Sequence, residues 1–240
     1  MRNHFLRASS NSGDGGGGGG SGASSASISG KLFYRANGTG GFGAFWQRVD
    51  GTLNDLEINP TGITAFNERT ATIQTSSSCN DWLDFEIDLT GLGNGRVHFY
   101  GRRGSSGSNL HRADFCLDDI ELTADDGTTV DFDPSSSSVR SDSSDPTWER
   151  SDVVSIDDYS DAKSSLSSVS TWSTTNISTS NGTWEYQKKS TPSNYTGPAK
   201  AADCDSSTYY LLFEATNSSN GIGGYLRWKN HYDLSDGSEI

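Results

Sequence analysis

Residues 114–123, DFCLDDIELT, form a strand-like run that keeps a carboxylate where its pattern asks for an oily side chain. Alternate residues of a strand face opposite sides. Strict alternation puts Cys116, Asp118, Ile120 and Leu122 on one side and Phe115, Leu117, Asp119 and Glu121 on the other. Asp118 is then expected among apolar neighbours on the core face. A buried carboxylate is costly unless it is paired, hydrogen-bonded or bound to a cation. The run therefore predicts a sheet interior with a polar site set into it.

The neighbouring stretches repeat the strand signal. GKLFYRANG (30–38) ends in Asn-Gly and FGAFWQRVDG (42–51) in Asp-Gly, both turn dipeptides. WLDFEIDLTG (82–91) alternates cleanly, with Leu83, Phe85, Ile87 and Leu89 on one side and Asp84, Glu86 and Asp88 on the other. That is a half-buried antiparallel strand. GRVHFYGRRG (95–104), TYYLLFEATN (208–217) and GGYLRWKNHYDL (223–234) extend the set. With helix formers scarce, the reading is an all-β antiparallel sandwich with very little helix.

Composition bounds the function. The 240 residues suffice for one large β domain or two small ones. Only 31% are hydrophobic, yet 10% are aromatic, which a disordered chain would not carry. The net charge of −13 argues against nucleic acid, whose phosphates require clustered Lys and Arg. No run approaches the roughly 20 apolar residues that span a bilayer, so membrane insertion is not expected. MRNHFLRASS lacks the apolar centre of a secretion signal, which points to the cytosol or to export inside a virus particle. Cys79, Cys116 and Cys204 have neither metal-ligand spacing nor the even number of a disulfide scaffold. Cys116 reads as a small buried hydrophobe. The sequons at Asn37, Asn176, Asn181, Asn194 and Asn217 follow from an Asn-, Ser- and Thr-rich composition.

Along the chain, residues 1–28 read as a flexible arm whose run Gly15–Gly20 is a linker. Arg2, Phe5, Leu6 and Arg7 make a candidate docking peptide on that tether; the alternative is a frayed terminus. Strands fill 29–124. Residues 125–165 are rich in Ser and Asp with little to bury and read as a linker or long loop. Strands resume over 166–240.

These residues together resemble the MAM domain, a jelly-roll β-sandwich of adhesion proteins with relatives in phage structural proteins. The late part of that domain typically has a tryptophan, an alternating strand, an arginine-bearing G-x-x-G segment and a terminal DDI. Here these are Trp82, LDFEIDLTG, HFYGRRGSSG and DFCLDDIEL. The early part typically has two tryptophans, a TPS…TGP turn and a strand ending in Glu-Ala. Here these are Trp172, Trp184, TPSNYTGP and YYLLFEATN. The order is reversed, with the late part over 29–124 and the early part over 166–240. Two explanations compete: pieces of two successive repeats, or one circularly permuted domain. A half-sandwich alone would expose edges and apolar faces, which favours permutation. The cysteine pattern of vertebrate members is missing. Ala201–Ala202–Asp203 also stands where an aspartate-histidine pair often follows TGP.

The resemblance implies a role for the last-strand aspartates, since related jelly rolls often hold a structural calcium there. Asp118, Asp119 and Glu214 are the implied ligands, with Asp203 or Asp205 as contributors; Ca2+ takes six to eight oxygens. The alternative is that Asp118 accepts backbone N–H bonds. DFEID resembles the acid-bearing strand of jelly-roll glycoside hydrolases with its acids exchanged. A solvated face explains Asp84, Glu86 and Asp88 equally well. The histidines (His4, His98, His111, His231) are scattered, and GRRGSSG (101–107) precedes no helix that would make a phosphate loop.

The expected function is therefore non-enzymatic: a virion head decoration or tail-fibre module. Its arm would dock to other virion proteins, and its sandwich would meet a host-surface glycan, as a homo-trimer. The alternatives are a secreted carbohydrate-binding or adhesion module, for which the sequons would be genuine, and a glycoside hydrolase.

Overall fold

In the segment 83–88 every second side chain, Phe85 and Ile87, is buried, and the intervening Asp84, Glu86 and Asp88 are exposed. A strand so patterned needs a partner sheet to cover its apolar side. The computed structural model describes residues 25–37, 40–60, 72–73, 82–103, 112–125, 127, 129–132, 147–152, 154–156, 159–173, 181–188, 209–215, 222–234 and 238–240. The first half of the chain contributes β1 (Ala26–Asn37), β2 (Gly40–Arg48), β3 (Leu53–Leu56), β4 (Asn59–Pro60), β5 (Thr72–Ile73), β6 (Leu83–Asp88), β7 (Gly95–Arg103), β8 (Arg112–Ala124) and β9 (Thr129–Asp131). The second half contributes β10 (Trp148–Ser151), β11 (Val154–Ser155), helix α1 (Tyr159–Leu166), β12 (Trp172–Ser173), β13 (Asn181–Lys188), β14 (Tyr209–Ala215), β15 (Ile222–Trp228), β16 (Tyr232–Asp233) and β17 (Ser238–Glu239).

Among the described residues two antiparallel sheets form a sandwich. The first runs β13-β14-β8-β1-β6-β4, with β9 also on β8. The second runs β12-β10-β15-β7-β16-β17, with β11 on β15, β2 on β7, and β3 and β5 on β2. Strands from 29–124 and from 166–240 neighbour one another in both sheets: β8 pairs with β14, and β7 with β15.

The two halves also share one interior. Phe42 of β2 stacks on Phe115 of β8 at 5.4 Å, and Phe115 meets Phe213 of β14 at 6.0 Å. Trp184 of β13 packs on Phe213 at 5.5 Å, and its indole N–H donates to the Gly224 carbonyl of the opposite sheet. Phe132 lies 3.7 Å from Trp228, which packs on Trp148. Burying each such side chain is worth roughly 1.5–3 kcal/mol, so these rings hold the sandwich shut.

The stretch 125–165, read as a linker or long loop, is structured in part. It supplies β9, β10, β11 and all but the last residue of α1, with Trp148, Ile156 and Ala162 buried, and Leu166 just beyond it is buried as well. Its apolar residues are too widely spaced to register in composition, but each is large or well placed. Ala162 and Leu166 lie four apart and so share one face of α1. An eight-residue helix has little stability of its own, and packing holds this one in place. At the other end β1 starts at Ala26, with Ala26 and Ile28 buried, so the sandwich begins inside the stretch read as the arm. Arg2, Phe5, Leu6 and Arg7 lie outside the described residues.

Candidate binding groove

The outer side of the first sheet is built from three rows across β6, β1 and β8. Asp84, Lys31 and Asp118 form one; Glu86, Ser29 and Glu121 the next; Asp88, Ser27 and Thr123 the third. Residues directly opposite in a sheet share a face. The register fails once. Ser29 faces Glu121 and Lys31 faces Asp118, so Gly30 alone opposes both Asp119 and Ile120. This is a β-bulge. Asp119 takes the left-handed conformation, with φ of 50°, which aspartate tolerates better than most residues. Gly30 is required opposite, because a Cβ there would stand 2.8 Å from the Phe85 ring.

The bulge corrects the face assignment expected for DFCLDDIELT. Phe115 and Leu117 enter the main core before it, and Ile120 and Leu122 enter the same core after it. Cys116 faces the outer side with Phe33, Tyr210 and Leu212. Asp118 lies across from Lys31 on that side. It is fully buried, yet it does not share a face with Ile120 and Leu122.

Ser29, Gly30, Lys31, Asp84, Glu86, Asp88 and Asp119 line an open groove of about 660 Å³. A smaller hollow of about 290 Å³ shares Glu86 and Asp88 and runs on to Thr90, Thr123 and Asp125. The Lys31 ammonium donates to Asp84 at 2.5 Å. Asp88 accepts from the Thr90 amide at 2.8 Å. Bonds from the Thr90 hydroxyl and amide hold the Asp88 carboxyl below its ordinary range, so it is an anion at neutral pH. Beyond Asp84 the same side turns aromatic. Trp82, partly exposed, packs on Phe33 at 5.7 Å and on Tyr210 at 5.8 Å. Its indole nitrogen has no hydrogen-bond partner among the described residues.

The implied calcium ligands separate. Asp118 and Asp119 are adjacent, and Asp119 borders the groove. Glu214 pairs with Asp114, four residues along β8 from Asp118, or roughly 13 Å at the usual strand rise. Among the described residues no three His, Cys, Asp or Glu side chains converge on a metal position. Asp203 and Asp205 lie outside the described residues.

Sequence reasoning missed a second polar cluster, on the outer side of the second sheet, where Gln47, Arg96, His98, Glu149, Arg227 and Trp172 meet. They come from five strands distant in sequence, and no spacing links them. Of the other histidines, His231 is partly buried, and His4 and His111 lie outside the described residues.

Compared with family models, curated proteins and solved structures, the chain matches none.

Proposed function

We propose that the protein is a non-enzymatic recognition module, a virion-appendage sandwich of the MAM-like, permuted jelly-roll kind. It takes a host-surface glycan in the groove of its first sheet. One observation carries this reading: Asp84, Glu86 and Asp88 project from one strand into an open groove, and the partly exposed Trp82 stands two residues before Asp84 in the chain. Carboxylates accept hydrogen bonds from sugar hydroxyls, and a partly exposed indole supplies an apolar face for a sugar ring. Four acids against one lysine disfavour anionic sugars and favour neutral or amino-bearing ones. The arm with Arg2, Phe5, Leu6 and Arg7 docks to neighbouring virion proteins in this reading, and trimerisation multiplies weak sugar contacts.

A glycoside hydrolase is the second reading, favoured by the same three acids. Alternate residues on one strand stand about 6.5–7 Å apart, near the spacing that such chemistry uses. The proton donor of that chemistry needs surroundings that raise its pKa. Here hydrogen bonds from Thr90 hold the Asp88 carboxyl low.

The test is binding to an array of neutral, amino-bearing and acidic oligosaccharides, with and without EDTA, followed by product analysis. Glu86→Gln is expected to weaken binding about tenfold or more at unchanged stability, because a charge-assisted bond is lost. Saccharide release by the parent that disappears in Glu86→Gln would establish the hydrolase instead. Binding unaffected by Glu86→Gln and Asp84→Asn would remove the groove from the account.

A further inference from the structure

Asp84, Glu86, Asp88 and Asp119 line the groove of the first sheet, and Lys31 is the one cation among its described lining residues. The fold fixes where that cation stands. β1 runs between β6 and β8, so residue 31 has a neighbour on each side: Asp84 across to β6 and Asp118 across to β8. An unbroken ladder continuing from the Ser29–Glu121 pair would set Lys31 opposite Asp119, and the bulge puts Asp118 there instead. Gly30 keeps the bulge in place, since a Cβ there would also stand 3.2 Å from the Asp118 carbonyl oxygen.

Of the two flanking carboxylates, Asp118 is fully buried, whereas the Asp84 side chain is 72% exposed. The Lys31 ammonium reaches Asp84 at 2.5 Å, and the Lys31 side chain is itself 32% exposed. The charge therefore stands at the open side of the groove, in reach of a ligand. Its presence changes what the groove distinguishes. A purely acidic surface favours any cation, and an amino-bearing sugar is one. Lys31 opposes that preference twice over. It already holds the carboxylate that a sugar ammonium would otherwise meet, and it repels a second ammonium. The Glu86 row lies about 6.5–7 Å further along the strand, inside the roughly 8 Å over which physiological salt leaves such repulsion felt. A neutral sugar meets no such penalty, because its hydroxyls donate to carboxylates and accept from an ammonium.

We propose that Lys31 is the charge-selecting residue of this groove: by answering Asp84 within the lining, it keeps neutral saccharides in competition with amino-bearing ones. The proposal rests on the glycan reading of the groove and adds the residue that sets the ligand's charge. Lys31→Met leaves the four acids without a cation in the lining. Lys31→Arg keeps the charge. The double variant Lys31→Met with Asp84→Asn removes both members of the pair and restores the parent's balance of charge.

The test is calorimetric titration of the full-length protein and these variants with oligosaccharides of glucosamine and of galactosamine, each as the neutral N-acetylated form and as the protonated free amine. In Lys31→Met the ratio of amine to neutral affinity is expected to rise about threefold or more, the effect of one exposed charge at this range. In Lys31→Arg and in the double variant the ratio is expected to stay within about twofold of the parent. Should Lys31→Met not fold, Lys31→Gln decides on the same ratio. A parent that binds while the ratio is unchanged in Lys31→Met, a ratio that rises equally in Lys31→Arg, or a double variant shifted as far as Lys31→Met would overturn this inference alone. Binding of no saccharide by the parent would overturn the glycan reading and this inference with it.

Discussion

On β6 the residues that point away from the shared core are Asp84, Glu86 and Asp88, and they stand in water. On β2, β7 and β15 the corresponding residues are Phe45, Tyr100 and Tyr225, and the chain returns through α1 to cover them. Both sheets use the same two-residue alternation, and their inner sides meet in one core. The difference lies in the outward residue type. Aromatic rings repay the ordering of a covering helix by leaving water, whereas solvated carboxylates would lose hydration under any cover. Among the described residues, an open acidic groove and a covered aromatic face are thus two outcomes of one architecture.

Removing what holds the cover breaks this contrast most severely. Tyr225→Ala takes away a buried ring, and the hydroxyl that donates to Ala162, at an expected loss of about 3–5 kcal/mol in chemical denaturation. Exchange should rise first over 159–173, while the glycan binding proposed for the groove should be unaffected. Equal loss of protection in β6 would mean that the cover and the core are not distinct. The smaller effect concerns the bare side. Asp119→Val forces a β-branched residue into the left-handed region at an expected cost of about 1–2 kcal/mol, and Asp119→Gly should stay within about 0.5 kcal/mol of the parent. Equal midpoints for the two variants would remove the bulge from the account of this strand.

Much of the sandwich was legible because its strands obey the period of two. LDFEID announces its buried and exposed sides residue by residue, and YYLLFEA and GGYLRW carry enough apolar weight to be strands in any context. DFCLDDIELT misled because strict alternation assumes an unbroken ladder. The signal of the bulge was present: apolar residues sit at 115 and 117 and then at 120 and 122, a change of parity across two aspartates that only an extra residue reconciles. The acidic groove could be read as a solvated strand face, but not as a groove, because its walls come from β1 and β8 and depend on register. The cover was illegible. Ile156, Ala162 and Leu166 are isolated among Ser and Asp, and their burial depends on rings contributed by β2, β7 and β15.

The joint core made by the two halves of the chain can be tested most directly by expressing residues 1–132 and 133–240 as separate polypeptides. Each contains strands of both sheets and half of the rings that close Phe42, Phe115, Trp184 and Phe213 together. The expected result is that neither piece alone shows cooperative unfolding, while an equimolar mixture yields a 1:1 complex with one sigmoidal guanidinium transition. A cooperative transition in either piece by itself, unchanged when the other is added, would contradict the shared core.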